Sequence, residues 1–113
     1  MALTGKQKRV LRGIGMLLEP LIHVGKEGVS PESIAATEDV FRRRELIKVR
    51  VLKNAPDDTL TIAAQLAEAT GSDMAGRVGF TFLLYKPNPA LKERIQLPTG
   101  KESKMPTDNS DEW

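Results

Sequence analysis

Apolar residues recur along this chain with two spacings, and the switch between them marks out seven elements. Val10, Leu11, Ile14, Leu17 and Leu18 share one stripe at the helical period, which predicts a helix from Thr4 to about Leu18. Thr4 and Gln7 have the spacing of a capping box at its start, and Pro20 stops it. Leu21 to Val24 reads as a short strand. A second helix follows from Pro31 to about Arg43, with Ile34, Thr37, Val40 and Phe41 at helical spacing. From Glu45 to Lys53 the period changes to two: Ile47, Val49 and Val51 alternate with Lys48 and Arg50, giving a strand with one face to the core and one charged. Pro56 marks a turn, Asp58 or Thr59 caps a third helix that carries Ile62, Ala63, Leu66 and Ala67, and Gly71 suits its left-handed C-cap. Ser72 to Val78 is a strand poor in β-branched residues, and Gly79 is a turn. Phe80 to Lys86 is a strong strand, with Phe80, Phe82 and Leu84 on one side and Thr81, Leu83 and Tyr85 on the other.

The order of elements is α-β-α-β-α-β-β, which mixes helices and strands in one α/β (α+β) domain. Beyond it, Ile95 and Leu97 keep an alternate spacing that suits an extended segment along the domain. From Thr99 onward the chain has too few apolar residues to offset the entropy of ordering, so a domain over 1–98 and a disordered tail over 99–113, with Trp113 outside the core, are expected.

Charge sharpens this division. Residues 1–100 carry 15 Lys and Arg against 11 Asp and Glu, a net +4, whereas residues 101–113 carry 2 against 4, a net −2. The folded part is the basic part. With no cysteine among the 113 residues, disulfides, thiolate metal sites and cysteine nucleophiles are excluded together. The apolar runs fall short of the roughly 20 residues that span a bilayer, and a cytoplasmic protein is expected. Nothing in the pattern reads as a dimer interface, so a monomer is expected.

The stretch with the most chemistry is Leu21 to Glu32, in which an apolar run feeds Gly25-Lys26-Glu27-Gly28 and then a helix start. Ser30 can cap the helix, Pro31 suits its first position, and Glu32 complements its positive end. A strand feeding a glycine-bracketed loop that opens a helix can aim backbone N–H groups and a partial positive charge at one point, which suits an anion such as phosphate. The same spacing recurs at Gly76-Arg77-Val78-Gly79, but no helix follows it there, and it reads as strand residues plus a hairpin turn. Arg42, Arg43 and Arg44 exceed what the end of the second helix needs for its dipole and form a second candidate phosphate contact.

The set of local sequences resembles the CRM domain family, in particular its small stand-alone bacterial YhbY-like members. The resemblance is carried by Leu3-Thr4-Gly5-Lys6-Gln7-Lys8, by Pro20 to Val29 with its glycine-bracketed loop, and by Glu45-Leu46-Ile47-Lys48-Val49. Ala69-Thr70-Gly71 and Leu83-Leu84-Tyr85-Lys86-Pro87 complete it, so that it covers about residues 3–98. It implies a two-layer α/β (α+β) domain with helices packed on a four-stranded mixed sheet, similar to the C-terminal domain of translation initiation factor three. It also implies RNA binding with a loop likened to that of KH domains, and association with precursors of the large ribosomal subunit.

The expected mechanism is therefore binding of ribosomal RNA and not turnover, with no cofactor and no metal. The expected contacts are Gly25, Lys26, Glu27 and Gly28 in the loop, with Lys6, Lys8, Arg9, Arg12, Arg42, Arg43, Arg44, Lys48 and Arg50 as cations around it. Phe41, Phe80 and Phe82 occupy core-like positions, which leaves Tyr85 as the expected exposed aromatic platform and Arg77 as a possible edge contact. His23 is the single histidine and reads as a packed or edge-strand residue; no paired nucleophile accompanies it. The alternative readings are a protein-interaction module of the translation apparatus with an acidic partner, and a metal-dependent nuclease built on Asp57 and Asp58, for which helix capping is the ordinary explanation.

Overall fold

The structure is a computed structural model that describes residues 3–92 and 94–97. The expected tail and Trp113 lie outside the described residues. The elements follow in the expected order: α1 (Gly5–Gly15), β1 (Ile22–Val24), α2 (Pro31–Phe41), β2 (Leu46–Val51), α3 (Thr59–Thr70), β3 (Asp73–Val78) and β4 (Thr81–Tyr85). The sheet order is β1-β2-β4-β3, with β1 parallel to β2 and the other pairs antiparallel. A parallel neighbour cannot be reached by a hairpin, and α2 supplies the crossover.

Local chemistry sets the element ends. Thr4 and Gln7 form a reciprocal capping box on α1. Ser30 and Ser33 do the same on α2, where Ser33 takes the place usually held by Glu or Gln. Asp58 caps α3 by accepting from the Thr61 N–H at 2.8 Å, and Gly71 ends it at φ 69°. The hydroxyl and N–H of Thr61, with the charge of Arg77, hold the Asp58 carboxyl below its ordinary value. Helix α1 stops three residues before the expected Leu18. Gly13 and Gly15 weaken its last turn, and Leu17 and Leu18 close it through bonds to Ile14 and Gly15. Leu17 consequently leaves the apolar stripe and is 86% exposed.

The layering departs from expectation. Alternation along the strands creates two apolar faces, and both are covered. Ile22, Val24, Ile47, Val49, Val51, Phe82 and Leu84 pack with α2 and α3, while Leu46, Ala75, Leu83 and Tyr85 pack with Leu11 of α1 on the opposite side. Helices on both faces make three layers where two were expected. Helix α1 can approach because Gly15 has no side chain: a Cβ there would lie 2.7 Å from Leu83 Cδ2. The strand poor in β-branched residues, β3, lies at the sheet edge and carries an irregularity between Met74 and Gly76. An edge position needs less from composition than a central one.

The segment after β4 closes the α1 face. Ile95 and Leu97 pack against the smaller apolar cluster beside Leu3, Ile14 and Leu18. It is tied down by Glu45, a buried carboxylate that accepts from the N–H groups of Asn88 (2.6 Å) and Ile95 (2.8 Å) and from Arg94 Nε (2.9 Å).

Candidate nucleic-acid interface

The glycine-bracketed loop is a tight turn at the end of β1. Gly28 N–H donates to the Gly25 carbonyl at 2.9 Å, which places Lys26 and Glu27 at the exposed apex. Gly28 is buried with φ 65°, and a Cβ there would lie 3.0 Å from Pro56 Cγ. Gly25 has no positive φ, and a Cβ would meet Leu52 and Asn54 at 3.3 Å. The turn before α3 thus braces the loop from behind, and the two glycines have different duties. Gly28→Ala is expected to lower stability by about 1–3 kcal/mol, from a left-handed backbone that a side chain disfavours plus the Pro56 contact. Gly25→Ala is expected to cost less; denaturant melts of the two variants side by side would check this order.

The anion-binding capacity of this corner is narrower than the sequence pattern suggests. Pro31 has no N–H, and the Ser33 N–H is taken by Ser30 Oγ at 3.1 Å. The turn N–H groups of Lys26 and Glu27 make no backbone hydrogen bond among the described residues, so the apex is where a phosphate would find donors. The hollow beside it, about 370 Å³, is lined by Lys26 and His23 but also by Glu27 and Glu32. One lysine between two carboxylates is a weak cationic site. The strength has to come from neighbours.

Those neighbours divide into three groups. Arg50 and Lys48 lie on the α1 face of β2, Arg50 exposed and Lys48 half-buried, and Arg50 pairs in register with His23 of β1. They belong to the loop's side of the molecule. Lys6 and Arg9 are exposed on α1, whereas Lys8 is half-buried and Arg12 is buried. Arg12 was expected among the cations that contact RNA. It is one turn before Gly15 on the side that meets the sheet, and the close approach at Gly15 covers it. The third group, Arg42, Arg43 and Arg44, follows α2 and precedes β2, so it sits at the other end of both elements from the loop. An 11-residue helix separates them by about 16 Å. Arg42 and Arg43 also share Asp39, at 3.7 and 3.5 Å. The structure therefore does not gather the arginine run and the loop at one point.

The aromatic assignment reverses. Tyr85 is 3% exposed in the α1-face cluster, where burial raises its hydroxyl pKa, with the negative charge of Glu45 adding to the effect. Among the described aromatic residues Phe80 is the exposed ring, at 57%, because it falls in the two-residue turn Gly79-Phe80 (Gly79 φ 59°) and not in the strand. Its carbonyl accepts from Val51 N–H at 2.7 Å, which fixes it at the loop end of the sheet. Arg77 is half-buried and pairs with Phe82, on the face of α2 and α3 near Asp58. His23, read as a packed or edge-strand residue, stands exposed on the edge strand β1. Its signal was the alternation Ile22-His23-Val24, which turns the ring outward once the two apolar neighbours turn inward.

Residues 3–86 match the family model of the CRS1 / YhbY (CRM) domain. The chain belongs to the CRM family. Among curated CRM relatives it is 41% identical over 96 residues to "Probable RNA-binding protein YqeI" of Bacillus subtilis, covering 85% of this chain and 99% of that one. It is 33% identical over 95 residues to a probable RNA-binding protein of Pseudomonas aeruginosa, covering 84% and 91%. A Staphylococcus aureus protein, described in its solution structure as a candidate RNA-binding protein, superposes with a TM-score of 0.74 at 38% identity, covering 86% of this chain and all of that one. The match confirms the expected family, and the α+β class, element order and mixed sheet stand as expected. Among the described residues no three His, Asp or Glu side chains gather to hold a metal, and no helix is long and apolar enough to cross a membrane.

Proposed function

We propose that this CRM protein binds RNA, with structured ribosomal RNA of large-subunit precursors as its target and assistance to ribosome assembly in the cytoplasm as its role. The observation that carries the reading is the exposed Lys26-Glu27 apex on a braced turn at the mouth of α2, in a chain whose relatives bear RNA-binding names. The apex contacts the phosphate backbone through N–H groups and Lys26, while Glu27 turns to a base edge or 2′-hydroxyl. The ribosomal target rests on the family resemblance.

The arginine run at the far end of α2 is a second backbone contact. Its distance of about 16 Å from the loop is well within one turn of a duplex, about 34 Å. The test is binding of the full chain to ribosomal RNA at two salt concentrations, with circular dichroism to verify folding. Lys26→Ala is expected to weaken binding several-fold and reduce the salt slope by about one, and replacing Arg42, Arg43 and Arg44 by Ala to reduce it by two or three. Absence of binding above background, or binding by both variants as tight as wild type, would overturn the reading and turn attention to a protein partner.

A further inference from the structure

Helix α1 covers only part of its face of the sheet. It comes down at Gly15 over Leu83 and ends there, and the chain leaves through Met16 and Pro20. Beyond that point one row of the sheet stays open. Read across the strands in register it is His23, Arg50, Thr81 and Val78, one residue from each of β1, β2, β4 and β3, all on the α1 side. His23, Arg50 and Val78 are exposed and Thr81 is half-buried. Next to this row is a hollow of about 380 Å³ lined by Arg50, Lys48, Thr81, Val78, Met16 and Pro20.

Three properties of this surface identify its ligand. It carries two cations and no carboxylate among its lining residues, in contrast to the loop hollow with its two glutamates. It is continuous with the loop, because His23 lines the loop hollow and is also the first member of the open row. Most informative is the pair His23 and Arg50. They are register neighbours on adjacent strands whose backbones lie about 4.8 Å apart, so that an imidazole and a guanidinium both leave the sheet on its α1 face. Bases that have left a helix stack on such planar groups. An acidic protein segment would satisfy the charge but would make no use of the two planar groups.

We infer that the open row of the sheet is a stacking platform for unpaired RNA bases, formed by His23 and Arg50, with Lys48 taking a phosphate and Thr81 offering a hydroxyl to a base edge. This rests on the RNA-binding reading above and deepens it. The loop holds backbone without regard to base, and the platform selects RNA whose bases are free beside it. Phe80, exposed at the same end of the sheet, gives the emerging strand a further ring.

The test separates base stacking from charge. Two 12-nucleotide single strands are compared, one bearing uridines and adenines, the other an abasic ribose-phosphate backbone of the same length. The full chain is measured as wild type, as Lys26→Ala, and as His23→Ala with Arg50→Lys, the last keeping the cation and losing both planes. Wild type is expected to prefer the base-bearing strand by about tenfold or more, the size of a stacking contact. The double variant is expected to lose that preference while holding the abasic strand within about twofold of wild type. Lys26→Ala should weaken both strands alike. In a second measurement, RNA carrying 4-thiouridine is crosslinked to the wild-type chain and should mark peptides containing His23 or Arg50. Equal binding of the two strands by wild type, a preference that survives in the double variant, or crosslinks confined to other segments would overturn the platform and leave the loop reading standing. Failure of wild type to bind either strand would overturn the platform, and failure to bind ribosomal RNA as well would overturn both.

Discussion

Glu45→Ala is expected to lower the unfolding free energy by about 2–4 kcal/mol, a large loss for a substitution that removes one methylene of apolar surface. The Glu45 side chain is 1% exposed and gathers three donors: two backbone N–H groups 43 and 50 residues away in sequence, and the guanidinium of Arg94. Hydrogen bonds to a charged group contribute more than neutral ones, and their loss leaves the Asn88 and Ile95 N–H groups without an acceptor. Ile95 and Leu97 would then loosen from the cluster they cover. The exposed pairs that Arg42 and Arg43 make with Asp39 offer a contrast, and Asp39→Ala should change stability by less than about 1 kcal/mol.

The same carboxylate gives the domain an acid sensitivity of definite sign. Burial raises the Glu45 pKa, but the Asn88 and Ile95 N–H groups and Arg94 together outweigh it and hold it below the ordinary value. A depressed folded pKa means that the stabilisation is fully present above the unfolded value, about 4.3, and is lost as the pH falls through the folded one. Wild type should therefore lose stability steeply on acidification, and Glu45→Gln should flatten that part of the profile. Denaturant melts at pH 7, 5 and 3 measure both, and parallel profiles for the two proteins would show that other carboxylates govern the acid limb.

What could be read from the sequence was what neighbouring residues decide among themselves. Ser30-Pro31, Asp58 with Gly71, and the alternation Ile47-Lys48-Val49-Arg50-Val51 each fix an element through contacts within a few residues, and each stands where expected. The readings that failed depend on strand order and on which helix covers which face. Tyr85 and Phe80 exchanged roles because alternation tells two faces apart without telling whether both are covered. It was α1 on the far side that buried Tyr85, and a glycine turn that released Phe80. The arginine run was placed near the loop by proximity in the inferred fold, although a helix carries its two ends apart. Glu45 gave no local signal at all, since its partners come from residues 88–95. For the candidate interface, the loop was legible as a motif. The open row was not, because it exists only through the register of four strands.

Gly15 and Leu83 decide how closely α1 can dock and hence how much of that row stays open, and a double-mutant cycle tests the pair. Leu83 is fully buried, and Leu83→Ala is expected to cost about 2–5 kcal/mol through lost burial and the cavity left behind. Gly15→Ala would gain up to about 1 kcal/mol from helix propensity. Against this, the new methyl would lie 2.7 Å from Leu83 Cδ2 and 3.1 Å from its Cγ, and a leucine closed in on all sides has little room to yield. Overpacking of this kind costs about 1–3 kcal/mol, so the single variant should be destabilised or at best neutral. In the double variant the methyl at position 15 enters the space that the leucine vacates. The combined loss should therefore fall short of the sum of the two by about 1 kcal/mol or more, the coupling expected of side chains that share a cavity. Simple additivity would mean that α1 can shift away without cost, and the edge of the open row would then be set by Met16 and Pro20 in place of the contact at Gly15.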